Sequence, residues 1–480
     1  IEKITRNKNI EVFTGSEIED VKGYVGNFKV NVARDGQSEE HDISTIIVST
    51  GMKEMEPVGE FGYGKYGNVV TQLQLEERLR KKDVRALNSV AIINCVNSKN
   101  EERGCCNIGC LISIKNAKAI KEANEAAKVY IFYKDLNIIG KDSPYFKDII
   151  EKYDIILIRY PEEEKPEVCE EEGKLAVKAH DVLLGREMKI NADLVVLTTA
   201  FLGDDTADRL KGLFKVSTNS DGFFQEAHIK LKPLNFATDG LYLGGCARSP
   251  KNVRESMEEA MGCAMRASIP MKKGYVEAEG IVADIYHEKC NECGLCAKVC
   301  EFGAIELIDK KPEVIKAICK GCGTCAAECP KDAIDIIHFT NEQIIAQVEA
   351  ALVEEPEKKI VAFCCHWCAL GAVDVAGVSR FQYPENIRII RVMCAGRVDK
   401  TFVNKAFELG AGGVLVAGCE FPTCHYINGN YKCKDRIEKL KKKMAKKGID
   451  EEKLWTVWLS AADGPKFVKT VKSMVEQLNL

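Results

Sequence analysis

A chain of 480 residues with 46% hydrophobic and 29% charged content has room for three or more domains with cores of their own. Its formal net charge of −4 and pI near 6.1 argue against nucleic acid as a partner. No apolar run approaches the roughly 20 residues that cross a bilayer, and no secretory signal is seen, so direct membrane insertion is not expected. The 22 cysteines stand in tight local groups rather than in a disulfide framework, which points to metal ligation in a reducing, anaerobic cytosol. Ile1 opens the chain inside what reads as a strand pattern, so an upstream segment, cut away or carried on another polypeptide, is expected.

Residues 10–14, 24–33 and 45–49 read as short strands, the last running into Thr50-Gly51. A second unit begins at Ser89, with a buried strand over 90–94, a helix over 111–127 and a strand over 129–133. Strand, helix, strand at this spacing is a βαβ unit. Another apolar strand covers 193–199, and 241–245 leads through a loop into a helix from about Asn252 to Ala267. After a cysteine-rich insert over 280–338, a helix over 341–353 runs into the linker EEPEKK. Strands over 360–363, 387–393, 413–417 and 455–459 alternate with helical patterns, so the end of the chain is a second α/β domain. The run KLKKKMAKK (439–447) is most simply a solvated helix face, with a docking role as the alternative.

The strand over 90–94 stands where a dinucleotide-binding unit would continue into G-x-G-x-x-G, whose glycines let the backbone reach a pyrophosphate. The chain reads CVNSKNEERGCCNIGC instead. Cys95, Cys105, Cys106 and Cys110 thus occupy the carboxyl edge of the sheet, and they predict a non-standard 4Fe–4S cluster in the place of a nicotinamide nucleotide. Buried thiols with a redox disulfide are the alternative. Two fragments typical of two-dinucleotide flavoproteins bracket this unit: Ser49-Thr50-Gly51, and TDGLYLGG over 238–245, with Cys246 where Asp is usual. Thr50, Gly51, Gly245, Cys246, Ala247, Lys251 and Asn252 are the candidate FAD contacts, and the helix from Asn252 would aim its positive end at the ring. A first glycine fingerprint does not occur in the sequence, so the FAD site is expected to be completed by another segment.

Two consecutive Cys-x-x-Cys-x-x-Cys-x-x-x-Cys runs follow: Cys290, Cys293, Cys296, Cys300, then Cys319, Cys322, Cys325, Cys329, the second closed by Pro330. This is the two-cluster ferredoxin spacing, in which three thiolates on a loop hold one 4Fe–4S cube and the fourth reaches the other. Cys290, Cys293, Cys296 and Cys329 are expected on one cube, and Cys319, Cys322, Cys325 and Cys300 on its twin. Zinc would need only four thiolates and no such internal repeat.

In the last domain Cys364, Cys365 and Cys368 follow the first strand, Cys394 the second, and Cys419 and Cys424 the third. A parallel sheet would bring these strand ends together, and four of the six thiols would suffice for a 2Fe–2S or other small cluster, with zinc as the alternative. His366 and His425 are ligands or hydrogen-bond donors to such a centre, and Cys433 reads as a spare thiol outside it.

Taken together, these stretches resemble a known fusion. VKGYVGNFKVNV, INCVNSKNEERGCCNIGC, ADLVVL, GLYLGGCARSPKNVRESMEEA, the paired ferredoxin runs and HFTNEQIIAQVEA make residues 1–350 similar to the C-terminal portion of the heterodisulfide reductase A subunit. IVAFCCHWC, YPENIRIIRVMCAGRVD, GVLVAGC and CHYINGNYK make 358–480 similar to the iron–sulfur delta subunit of methyl-viologen-reducing hydrogenase. The resemblance implies an α/β chain. It would hold a partial two-dinucleotide-binding, thioredoxin-reductase-like flavoprotein fold over 1–85 and 201–278, interrupted by an NAD-like βαβ domain with its cysteine cluster over 86–200. A two-cluster ferredoxin domain over 279–340, a linker over 341–357 and the delta-like domain over 358–480 would follow. It also implies a cytoplasmic electron-bifurcating or confurcating complex, with subunits like heterodisulfide reductase B and C, a hydrogenase or formate dehydrogenase, and ferredoxin as partners. Three features depart from the family: the usual cysteine pair is Cys110-Leu111 here, with Cys105 the candidate for the lost ligand; ARDGQSEEHD stands where many members carry a second ferredoxin insert; and the first half of the flavin domain is not in the sequence. A quinone-interacting oxidoreductase subunit of sulfate reducers, with linear electron transfer, is the alternative resemblance. A pyridine-nucleotide:disulfide oxidoreductase and a zinc-knotted scaffold are the rival classes.

Overall fold

The computed structural model describes residues 2–138, 143–171, 173–229, 231–277, 280–446 and 450–480. Ile1, the 278/279 domain boundary and Lys447 at the end of the basic run lie outside the described residues.

A helical turn, α1 (Glu2–Thr5), precedes an antiparallel meander of β1 (Ser16–Lys22), β2 (Phe28–Arg34) and β3 (Gln37–Ile43). So the chain does not open in a strand, and residues 10–14 lie outside any strand, with Ile10, Val12 and Phe13 exposed and no buried face to hold them. The strand expected from Tyr24 begins only at Phe28. Gly23, at φ +85°, turns the chain so sharply that a Cβ there would meet the Asn27 carbonyl oxygen at 2.0 Å.

Five parallel strands form the central sheet, in the order β6 (Val69–Thr71), β13 (Leu194–Thr199), β7 (Ser89–Val96), β8 (Lys128–Tyr133), β9 (Ile156–Arg159). Both faces are covered, which is why these strands read as continuous apolar runs. Val90 and Ile92 point into a core with Leu75 of α2 (Gln72–Arg80) and Ile114 of α3 (Gly109–Ala123); α4 (Ser143–Lys152) closes it. Ala91 and Ile93 point the other way, onto the antiparallel sheet of β10 (Glu167–Glu171), β11 (Lys174–Asp181) and β12 (Arg186–Ala192).

A second, smaller unit pairs β4 (Ile46–Val48) with β15 (Leu241–Leu243) in parallel, between α5 (Ala207–Phe214) and α6 (Val253–Lys273). An antiparallel ribbon of β5 (Met52–Glu54) and β14 (Phe201–Gly203) ties it to the central sheet. The insert that follows is a pseudo-repeat: β16 (Ala283–Ile285) pairs with β19 (Ile334–Ile336), and β17 (Ile305–Ile308) with β18 (Lys311–Val314). Two short helices, α7 (Leu295–Val299) and α8 (Thr324–Ala327), carry Cys296 and Cys325, and the other cysteines of each run flank them.

The last domain is a parallel sheet in the order β21 (Ile387–Val392), β20 (Ile360–Cys365), β22 (Gly413–Cys419), β23 (Leu454–Leu459). Around it pack α9 (Asn341–Ala351), α10 (Ala369–Val378), α11 (Lys400–Glu408), α12 (Gly429–Lys446) and α13 (Gly464–Leu478). The segment read as a linker thus begins with α9, whose Ile344 and Val348 are buried in this domain's core. On α12, Leu440 and Met444 face inward while most lysines of the basic run face solvent. Among the described residues the chain is α/β with parallel sheets of five, two and four strands.

Candidate functional site

In the pseudo-repeat, Gly294 and Gly323 take left-handed φ values of +69° and +81° just before α7 and α8, folding the cysteine loops back on themselves. The fourth thiol of each run accepts from a backbone N–H four residues on: Ala304 to Cys300 at 3.3 Å and Ala333 to Cys329 at 3.4 Å. Ala283 and Glu292 donate likewise to Cys319 and Cys290. Cys300 sits close enough to Cys319 and Cys322 for their charges to act on one another. The fourth thiol of the first run therefore stands with the loop of the second, as the ferredoxin exchange requires. Burial pushes the Cys322 thiol up to about 12 and Cys325 well above its usual range. Holding several such groups as thiolates in one place needs a compensating cation.

The C-terminal thiols converge from separate strands. Cys365 and Cys419 end adjacent parallel strands with their sulfurs 3.7 Å apart. Cys368 and Cys424 contact Cys419, and Cys394 contacts Cys424. Cys364, one residue from Cys365 on β20, points to the opposite face, because side chains alternate along a strand; it lies in the core without joining the group. Cys433 on α12, which its position in the sequence leaves outside, is fully buried beside Cys365 and Cys424. His425 stacks on Trp367 with ring centroids 3.8 Å apart, and burial pushes its imidazole down to about 3, so it is neutral. His366 meets the edge of the same indole.

Cys95, Cys105, Cys106 and Cys110 line one cavity of about 370 Å³ at the carboxyl end of β7. Where glycines would shape a phosphate loop, Cys95, Asn97, Lys99 and Asn107 adopt positive φ instead. Gly109 is fixed by closeness: a Cβ there would lie 2.7 Å from the Cys106 sulfur and 2.8 Å from Thr198 Cγ2. Behind the cavity a buried polar web joins Gln72, Ser113, Asn94 and Thr198, with Gln72 Nε2 donating to Thr198 Oγ1 at 2.8 Å. Asn137 Nδ2 donates to the Cys105 sulfur at 3.7 Å, and Lys99 pairs with Asp135 at the rim at 2.9 Å. The Cys106 thiol donates to Cys105 and pulls it down to about 6, while burial pushes Cys110 up to about 11.

The flavin fragments meet as well. Gly244 N–H donates to Val48 O at 3.1 Å, so Thr50-Gly51 and Gly245-Cys246-Ala247 follow the carboxyl ends of paired parallel strands. Asn252 caps α6 in a reciprocal pair with Glu255. Buried Lys251 holds the Gly245 carbonyl at 2.9 Å and Glu259 at 3.0 Å. Cys246 donates to the Lys251 carbonyl at 3.5 Å.

The groups also touch across domains. The turn after Cys394 packs on the second ferredoxin loop, where a Cβ on Gly396 would lie 2.5 Å from Thr324 Oγ1. Ser217 Oγ donates to the Cys424 carbonyl at 2.8 Å, and Lys215 Nζ to that of Phe302 at 3.1 Å. These cross-domain contacts and the Trp367–His425 stack carry no sequence signal.

Residues 360–480 match the family described as methyl-viologen-reducing hydrogenase, delta subunit, while residues 289–334 match the 4Fe-4S dicluster domain. The A subunit of a ferredoxin:CoB-CoM heterodisulfide reductase from Methanosarcina mazei is 36% identical over 456 residues, covering 92% of this chain and 57% of that protein. The A subunit of the H(2):CoB-CoM heterodisulfide,ferredoxin reductase from Methanothermobacter marburgensis is 40% identical over 339 residues, covering 66% of this chain and 51% of that protein. The chain therefore spans a little over half the length of these curated relatives. Among solved structures, thioredoxin reductase of T. acidophilum overlaps 53% of this chain and 73% of its own at a TM-score of 0.35 and 15% identity.

Proposed function

We propose that this chain, similar over most of its length to heterodisulfide reductase A subunits and matched over residues 360–480 by the hydrogenase delta-subunit family, is the electron-transfer subunit of a cytoplasmic heterodisulfide-reductase-type complex. Cys290, Cys293, Cys296 and Cys329 hold one 4Fe–4S cluster, and Cys319, Cys322, Cys325 and Cys300 its twin. Cys95, Cys105, Cys106 and Cys110 hold a third. Four of Cys365, Cys368, Cys394, Cys419 and Cys424 hold a 2Fe–2S cluster in the C-terminal domain. Such clusters supply one-electron steps over roughly −700 to +450 mV, tuned by burial and by hydrogen bonds to sulfur. Thr50, Gly51, Gly245, Cys246, Ala247, Lys251 and Asn252 line one edge of a bifurcating FAD whose adenosine half is completed by another segment or chain. The C-terminal domain takes electrons from a hydrogenase or formate dehydrogenase, and subunits like B and C, with ferredoxin, receive them. Among the described residues no helix is long and apolar enough to cross a membrane.

The observation that carries this reading is the packing of the turn after Cys394 on the second ferredoxin loop, where a Cβ on Gly396 would lie 2.5 Å from Thr324 Oγ1 and one on Gly323 2.2 Å from Arg397 Cδ. Anaerobic purification of Cys394→Ser, with iron, sulfide and flavin counts, tests it. Iron should fall and donor-linked flavin reduction slow; an unchanged spectrum and rate would reject the relay.

A further inference from the structure

Arg397 closes the short turn that follows Cys394, and it is only 1% exposed. Its Nη2 donates to Asp335 Oδ1 at 3.1 Å, to the Phe339 carbonyl at 3.2 Å and to Asn341 Oδ1 at 2.7 Å. Nε and Nη1, equally buried, have no hydrogen-bond partner in the protein. One face of the guanidinium lies over Phe402, 4.9 Å from the ring centroid. The methylenes lie against the second ferredoxin loop: a Cβ on Gly323 would come within 2.2 Å of Arg397 Cδ. Gly323 separates Cys322 from Thr324 and Cys325, and the charge of Cys325 acts on the guanidinium. Buried donors left without acceptors are costly and rare, so a cation with two of them beside a thiol group calls for an acceptor that is not protein. Inorganic sulfide of an iron–sulfur cluster is such an acceptor.

The twin repeat lacks this device. Gly294 occupies the place of Gly323, and a Cβ there would meet only Leu307 Cδ1, at 3.2 Å. Two loops of one sequence pattern therefore face different neighbours: Leu307 of its own repeat in the first, the methylenes of a charged side chain from the C-terminal domain in the second.

We propose that Arg397 sets the potential of the cluster held by Cys319, Cys322, Cys325 and Cys300, its positive charge favouring the reduced form so that this cluster lies above its twin. The inference rests on the cluster assignment given above and assigns to it a residue from outside the ferredoxin-type domain. Arg397 is a positioning and charge-bearing residue rather than a ligand, and Asp335 opposes it.

The test is a mediated redox titration of the whole chain, followed by electron paramagnetic resonance, for Arg397→Met, Arg397→Lys and Asp335→Asn, each with iron and sulfide counts. Arg397→Met should lower one ferredoxin-type midpoint by at least tenfold in the reduction equilibrium, about 59 mV for a one-electron couple. Asp335→Asn should move the same midpoint the other way, and Arg397→Lys should shift it less than Arg397→Met. The signal that moves should be the one that Cys322→Ser removes. An unchanged midpoint in iron-replete Arg397→Met, or equal movement of every signal, overturns the proposal. If Arg397→Met loses its iron, Asp335→Asn decides, and no shift there overturns it. An iron count unaffected by Cys322→Ser rejects the cluster assignment, and the role of Arg397 with it.

Discussion

The ferredoxin-type repeat and the C-terminal domain gather thiols in opposite ways. In the first, Cys290 to Cys329 lie on two glycine-turned loops and two short helices, and the small core around Cys296 and Ala326 has little sheet behind it. In the second, Cys365, Cys394 and Cys419 follow three different strands and meet only because those strands run parallel. One centre is built by local turns, the other by a fully formed sheet. The two should therefore be lost to different perturbations.

The largest contrast comes from emptying the sheet. Leu415 on β22 is fully buried, and Leu415→Ala should destabilise its domain by about 2–5 kcal/mol. Denaturant titration followed by both absorbance and resonance should show the C-terminal signal disappearing first; simultaneous loss of the ferredoxin signals would break the contrast. Overfilling the same centre comes next. A Cβ on Gly429 would lie 2.2 Å from the Cys394 sulfur, so Gly429→Ala should cost about 1–3 kcal/mol and perturb the C-terminal signal alone. Smaller still is Ser217→Ala, which removes the hydrogen bond to the Cys424 carbonyl and should cost about 1 kcal/mol. Hydrogen exchange should quicken around 423–427 and stay unchanged near Cys290.

The most gradual effect follows from His425, which is neutral when folded and titrates near 6.5 when unfolded. Between pH 6.5 and about 3 the unfolded chain binds a proton that the native chain refuses, so stability falls as pH falls through that window. Above it the imidazole contributes no slope. His425→Phe should flatten the acid limb of a denaturation series; an unchanged limb would assign it to other groups.

What is legible in the sequence follows the same division. The parallel strands over 90–94, 193–199 and 413–417 announce themselves as apolar runs because both faces are covered. The exposed hairpin of β1 does not, since SEIEDVK buries none of its residues fully and so carries only a weak pattern. The thiols of Cys95 to Cys110 are readable because one loop carries all four. The C-terminal centre is readable only up to its strand ends. Which of Cys364 and Cys365 turns inward depends on a one-residue register, and the approach of Cys433 depends on how α12 packs; neither is written in local spacing.

One boundary has a mechanical meaning. Gly396, one residue from Arg397, lies so close to α8 that a Cβ there would meet Thr324 Oγ1 at 2.5 Å, while Gly323 leaves no gap beneath the Arg397 methylenes. Carrier modules that ferry charge by swinging between stations need a loose, wetted joint that can part and re-form. Here the joint is closed by backbone packed tightly on its neighbour, with no room at Gly396 or Gly323 for even a methyl group.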